Sequence, residues 1–198
     1  PNRGWPVSWL MRSAARAARF VLSAARDDGG GLLHRYRDGD AALPGSLDDH
    51  AYLAWGLIEL YQATYDPDWL AGAVRLMREV STRFTDGSGG LLMTPADGEE
   101  LIARPRATAD GATPSGNSVA VHNLVRLSLL TGDPGLDERA RRAARATTPF
   151  VAAAPAAHAY ALAALDLLFG PTMEVVIAGR TGAEDTETML AAVGERFA

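Results

Sequence analysis

The sequence predicts an all-α protein: an (α/α) toroid, legible as a partial ring of helical hairpins with a few short strands. Three observations carry this reading. The first is a repeated loop. Asp27-Asp28-Gly29-Gly30-Gly31-Leu32-Leu33, followed by Asp38-Gly39-Asp40, returns as Asp86-Gly87-Ser88-Gly89-Gly90-Leu91-Leu92, followed by Asp97-Gly98-Glu99. The second is a repeat in the flanking helices, where Leu57, Leu60, Thr64 and Asp66-Pro67 match Leu124, Leu127, Thr131 and Asp133-Pro134. Self-similarity of this kind marks an architecture that stacks one supersecondary unit. The third is an alternation in helix polarity. Helices opening near Asp48, Ser115 and Pro155 are apolar along their length. Those opening at Pro67 and Pro134 are less so, and the latter carries Arg139, Arg141, Arg142 and Arg145. A helix apolar all round is buried, whereas one with a charged face lies outside. An inner and an outer ring follow, with the N-terminal ends of the inner helices directed into a shared cavity.

Taken in order, Trp5 to Arg26 reads as a helix, with Leu10, Ala14, Ala17, Val21 and Ala25 at helical spacing and a stop at Asp27-Asp28-Gly29. Leu32 to Tyr36 reads as a short extended piece, then a loop runs through Gly39 and Pro44. Ser46 or Asp48 caps the next helix, whose stripe is Leu53, Leu57, Leu60, Tyr61 and Thr64. Asp66-Pro67 ends it and opens a helix to Phe84. The polar segment Asp86 to Thr113 holds a short strand pair around Leu91-Leu92-Met93 and Leu101-Ile102. Pro114-Ser115 opens a helix through Leu130, Pro134 one to about Phe150, and Pro155 one to Leu168. Met173 to Ala178 reads as a strand and Glu184 to Phe197 as a seventh helix. The expected organisation is a single domain over 1–198, with a strand-helix extension at 172–198.

Composition narrows the class. Of 198 residues, 47% are hydrophobic and 22% charged, which is ordinary for a globular chain. A net charge of -5 argues against nucleic acid, whose partners carry a basic stripe. Every positive side chain of the Lys and Arg type is arginine. Without cysteine there are no disulfides, thiol nucleophiles or thiolate metal ligands. No apolar run approaches the roughly 20 residues of a membrane span, and no signal-peptide pattern opens the chain. The expectation is a cytoplasmic protein, and a first residue of Pro1 suggests a fragment of a larger one.

Leu47-Asp48-Asp49-His50-Ala51-Tyr52-Leu53, Leu60-Tyr61-Gln62-Ala63-Thr64 and Asp110-Gly111-Ala112-Thr113-Pro114-Ser115-Gly116-Asn117-Ser118 resemble the thioredoxin-fused spermatogenesis-associated protein family. The resemblance runs from about Ala14 to Phe197, and Pro-Ser-Gly-Asn-Ser is its most specific part. It implies a six-hairpin, glycosidase-like toroid of which this chain is a central and late part. The family's thioredoxin-like domain has no counterpart here, so no redox activity is implied. Toroids of this kind include glycosidases and enzymes similar to N-acylglucosamine 2-epimerase. Carbohydrate is therefore the first substrate class, by fold analogy.

Candidate chemistry gathers at the inner-helix starts. A glycosidase needs two carboxylates across the scissile bond. Asp48 and Asp49 are adjacent on one helix and point apart, so Asp110, in the loop before the next inner helix, is the expected partner. Of the adjacent pair, Asp49 is the preferred catalytic residue. The structural alternative makes Asp48 an N-cap and Asp49 a favourable charge at the helix dipole. Ser115 and Asn117 offer polar groups at the next helix start, or serve as a cap beside a close helix approach at Gly116. Arg35, Tyr36 and Arg104 combine guanidinium forks with an aromatic, suited to a sugar or carboxylate, or tie the loops to the acids. Tyr52 completes the expected lining.

Epimerisation asks for a base near neutral pH, which favours histidine. His50 and His158 lie near inner-helix starts, whereas His122 reads as a packing residue. No metal motif is present and no cofactor is expected. The turn at Ala178-Gly179-Arg180-Thr181-Gly182 lacks the Lys-Ser/Thr of a phosphate loop. Two functions remain: a carbohydrate-related toroid acting by glycoside hydrolysis or epimerisation, and a non-catalytic module binding a sugar-like ligand or a protein. Neither expects a nucleic-acid or membrane partner. A partial ring exposes apolar edges, so a homodimer is expected.

Overall fold

The computed structural model describes residues 7–99, 101–180 and 182–197. Among them are seven α-helices and one β-hairpin. The order is α1 (Val7–Ala24), β1 (Leu33–Arg37), β2 (Asp40–Pro44), α2 (Leu47–Thr64), α3 (Pro67–Arg83), α4 (Gly116–Thr131), α5 (Pro134–Ala153), a short 3-10 turn (Pro155–Ala157), α6 (Ala159–Phe169) and α7 (Glu184–Phe197). Trp5, where the first helix was expected to begin, and Thr181 of the late turn lie outside the described residues.

The repeats of sequence are repeats of hydrogen bonding. Asp27 Oδ1 accepts from the Gly31 N–H at 2.8 Å, and Asp86 Oδ1 from the Gly90 N–H at 3.0 Å. In both loops the fourth residue, Gly30 or Gly89, has a positive φ, which suits glycine, and donates to the carbonyl of the leading Asp. Arg26–Leu32 and Thr85–Leu91 form matching single bridges. The helix ends repeat too. Thr64 and Thr131 each bond back to the carbonyl four residues earlier, and each accepts from the Asp two residues on. Asp66 and Asp133 then cap α3 and α5, whose first residues are prolines.

Packing follows from the distribution of apolar residues. α4 packs against α2 on one side and α6 on the other, with α3 and α5 behind this row and α1 against α2. Helix α4 buries nearly its whole circumference, from Gly116 through Val121 and again at Asn123, Leu124, Val125, Leu127 and Ser128. The outer helix α5 buries only one stripe, Leu136, Ala140, Ala143, Ala144, Thr147 and Val151. Leu57, Ile58, Leu76, Met77, Phe84, Leu124 and Leu127 form the centre of the core. Each such side chain contributes roughly 1.5–3 kcal/mol by leaving water.

Four expectations fail for stated reasons. The hairpin has a second strand where a loop was expected, closed by Asp38-Gly39, both at positive φ, as a two-residue turn that matches strand twist. Leu101 and Ile102 do not pair with Leu91–Met93; they are exposed, and Met93 instead donates to the Pro105 carbonyl. Met173 to Ala178 forms no strand. Among the described residues no second strand lies beside it, so the apolar run has no ladder to join. The sixth helix begins at Ala159, because Pro155 opens only a single 3-10 turn.

Candidate functional site

The N-terminal ends of α2, α4 and α6 converge. The Tyr52 hydroxyl of α2 donates to the Pro114 carbonyl just before α4 at 2.6 Å. Asp110 joins α4 to α6: its Oδ1 accepts from the Ser115 N–H and its Oδ2 from the Tyr160 N–H, both at 2.8 Å. Burial pushes Asp110 up, but these N–H groups, with the Ser118 hydroxyl and the Ala161 N–H, hold it below the usual carboxylate range. Asp110 is thus an ionised tie between two helix starts.

The cap of α2 assigns Asp48 and Asp49 different tasks. Ser46 is the N-cap, and Asp49 is the third helical residue of a capping box. Its Oδ2 accepts from the Ser46 N–H and hydroxyl at 2.7 Å and lies 2.8 Å from His34 Nδ1. Asp48 is not the cap. Its Oδ1 is buried without a hydrogen-bond partner. Burial, and then the Asp49 charge, raise its pKa, against the pull of the neighbouring Gly116 N–H. The close approach expected at Gly116 is present, since a Cβ there would sit 2.1 Å from Asp48 Oδ1.

His50 points the other way. Its ring is buried against Phe84, 4.9 Å between centroids, with Nδ1 at 2.8 Å from the Ser46 carbonyl and Nε2 at 3.3 Å from Glu79 of α3. His50 and Arg83 together hold Glu79 below its ordinary range despite burial. His158 is likewise internal, bonded to the Ala154 carbonyl and Thr108. The remaining expected residues divide. Ser115 caps α4, and its hydroxyl donates to the Thr108 carbonyl. Asn117 is buried and donates to the Ala107 carbonyl. Arg104 donates to Thr94 within its own loop. Arg35 pairs with Asp40 across the hairpin, and Tyr36 packs edge-on against Phe20 of α1. Of the expected lining, the structure brings Asp48, Asp49, Tyr52, Asp110 and Ser115 together at the helix starts. Arg35, Tyr36, Arg104 and Asn117 are engaged elsewhere.

A further group joins Tyr52 to residues that sequence did not single out for the site. Along α2, Tyr52 and Trp55 lie 6.0 Å apart, and Trp55 lies 5.3 Å from Tyr160 of α6. Tyr160 continues to His122 of α4, 3.1 Å from hydroxyl to Nδ1. Burial first, and then Arg126, lower the His122 pKa to about 4, so the ring is neutral at pH 7. Arg126 donates to Glu59 and Gln62 at 2.7 and 2.6 Å, and Trp55 Nε1 also donates to Glu59. Tyr52, Trp55, His122 and Tyr160 are all partly exposed. The signal was present as the spacing of Tyr52, Trp55, Glu59 and Gln62 on one helix face. Trp and Tyr at helical spacing read equally well as core, so sequence alone singled out Tyr52 but not Trp55 or Tyr160.

No protein-family model matches the chain. It is 34% identical over 195 residues to spermatogenesis-associated protein 20 of Rattus norvegicus and 32% identical over 195 residues to that of Mus musculus. Each match covers 93% of this chain and 25% of the relative. The Homo sapiens protein of the same name is 32% identical over 151 residues, covering 75% of the chain and 19% of that protein. The chain therefore spans a quarter or less of the length of these relatives.

Proposed function

We propose that the chain is one arc of an (α/α) toroid, with α2, α4 and α6 as its inner wall, and that this wall binds a sugar or sugar-like polyol. On this reading residues 1–198 form one domain, with 172–198 as an extension. The observation that carries it is the run of ring contacts Tyr52–Trp55–Tyr160–His122, left partly open and bordered by Asp48, Glu59 and Arg126. Aromatic faces offer apolar area with a defined geometry, and flanking polar groups fix orientation. The similarity of the chain to part of a longer protein supports an arc over a whole ring.

Binding is the reading favoured over turnover by this chain alone. Hydrolysis needs a second, opposed carboxylate. Asp49 and Asp110 are both committed to helix starts and Glu59 accepts from Arg126 and Trp55, which leaves Asp48 as the acid on this wall with an unpartnered oxygen. Any turnover would place Asp48 in the role expected of Asp49, with its partner group drawn from outside this wall.

The experiment is a fluorescence and proton NMR titration of the chain with monosaccharides, amino sugars and short oligosaccharides. A sugar that binds unchanged, and is lost in Trp55→Ala, supports the reading. A sugar that is converted would replace it with an enzymatic one. Wild-type chain that shifts with no member of the panel would rule out the carbohydrate wall.

A further inference from the structure

The outer layer holds a cavity that the inner wall does not use. It has a volume of about 330 Å3, between the end of α3, the loop at 85–91 and the first half of α5. That is within the roughly 300–1,000 Å3 of small-molecule sites. Leu91, Leu124 and Ala143, all buried, supply its apolar lining. Its charged lining is Asp86, Glu138, Arg139 and Arg142.

The four lining charges sum to zero, but three of them are engaged in ion pairs and Arg139 is not. Asp86 is paired with Arg106, and its Oδ1 accepts from Ser88 and Gly90. Glu138 is shared by Arg142 at 3.7 Å and Arg145 at 3.5 Å. Arg139 is partly buried and has no ion pair or hydrogen bond among the described residues. A guanidinium held at a half-dry apolar surface without a partner favours an oxyanion, which it can meet with two parallel N–H donors. Gly89 sets the shape of the site: at a φ of 88°, a Cβ would sit 2.3 Å from Arg142 Cγ, so the loop backbone lies directly on that side chain.

We propose that this cavity binds a small amphiphilic oxyanion, a carboxylate or phosphate monoester on a short apolar body. Arg139 takes the oxyanion; Leu91, Leu124 and Ala143 take the apolar end. Its lining shares no residue with the Tyr52–Trp55–Tyr160–His122 run.

The test is calorimetric titration of the chain with hexanoate, hexyl phosphate, hexanol and inorganic phosphate. Hexanoate or hexyl phosphate binding more tightly than both hexanol and inorganic phosphate is the expected result, and the stronger of the two names the headgroup. Arg139→Gln, a helix-compatible change on a charged face, is expected to weaken that binding about tenfold or more. Ala143→Leu, which fills the cavity from α5, is expected to remove it in a chain that circular dichroism shows still folded. Saturation by neither amphiphile at about 10 mM would overturn the proposal. So would equal affinity in wild type and Arg139→Gln.

Discussion

Asp49 is the side chain on which the start of α2 depends, since one oxygen serves the Ser46 N–H, the Ser46 hydroxyl and His34. Asp49→Ala is expected to cost about 0.5–2 kcal/mol in urea unfolding, the range of a lost cap. Asp48 behaves in the opposite sense. Its pKa is raised in the fold, so its stabilising share is present at low pH and is lost as pH rises through the folded value. Asp48→Asn should therefore melt higher than wild type at pH 7, and the gap should close by about pH 3. Paired melts at the two pH values check this. His122 has its pKa lowered to about 4 from an ordinary 6.5. Between these values the unfolded chain binds the extra proton, so stability falls as pH drops through that window. His122→Asn should flatten that fall, a difference read from melts at pH 7 and pH 4.5. A wild type with no loss over this interval would contradict a neutral His122.

At the scale of elements, the contact between α2 and α4 is set by Gly116. A methyl group there meets both the Asp48 carboxylate and its backbone, the Cα at 3.2 Å, so side-chain rotation alone does not relieve it. Gly116→Ala is expected to destabilise by about 1–3 kcal/mol, the usual cost of overpacking, measured by the urea midpoint. The Asp-Pro helix starts and the Asp-Gly loops were legible in sequence because their hydrogen bonds close within four residues. Asp66, Asp133, Asp27 and Asp86 all act on neighbours. The cap of α2 was legible only as a choice between Ser46 and Asp48. The strand expected at Met173 to Ala178 failed for the complementary reason: a strand is a property of a pair, and among the described residues the run has no partner.

For the whole molecule, the two-layer arrangement has α2, α4 and α6 in a row with α3 and α5 behind. Leu162 and Phe169 of α6 stand exposed, Phe169 at 70%. We propose that a second copy covers this flank, as expected of an open arc. Light scattering at micromolar concentration should give a dimer, and Phe169→Glu should return it to monomer. A wild-type monomer would remove the dimer from the reading. Among the described residues no helix is long and apolar enough to cross a membrane.

Sequence by itself determined what is local or periodic. The seven helices, the repeated Asp-Gly loops and the contrast between the all-round apolar α4 and the striped α5 all follow from side chains a few residues apart or from a 3.6-residue stripe. The family resemblance drawn from Leu47–Leu53 and Asp110–Ser118 accords with the relatives found. Tertiary structure decided which polar group does what. Asp110 spans two helices, His50 is buried against Phe84 and Glu79, and Asp48 keeps a buried, unpartnered oxygen beside Gly116 while Asp49 closes the cap. Trp55, His122 and Tyr160 meet only because three helices bring them together. The physical reason is that a carboxylate's role is fixed by its hydrogen-bond partners and its share of water, and most of these partners come from distant segments.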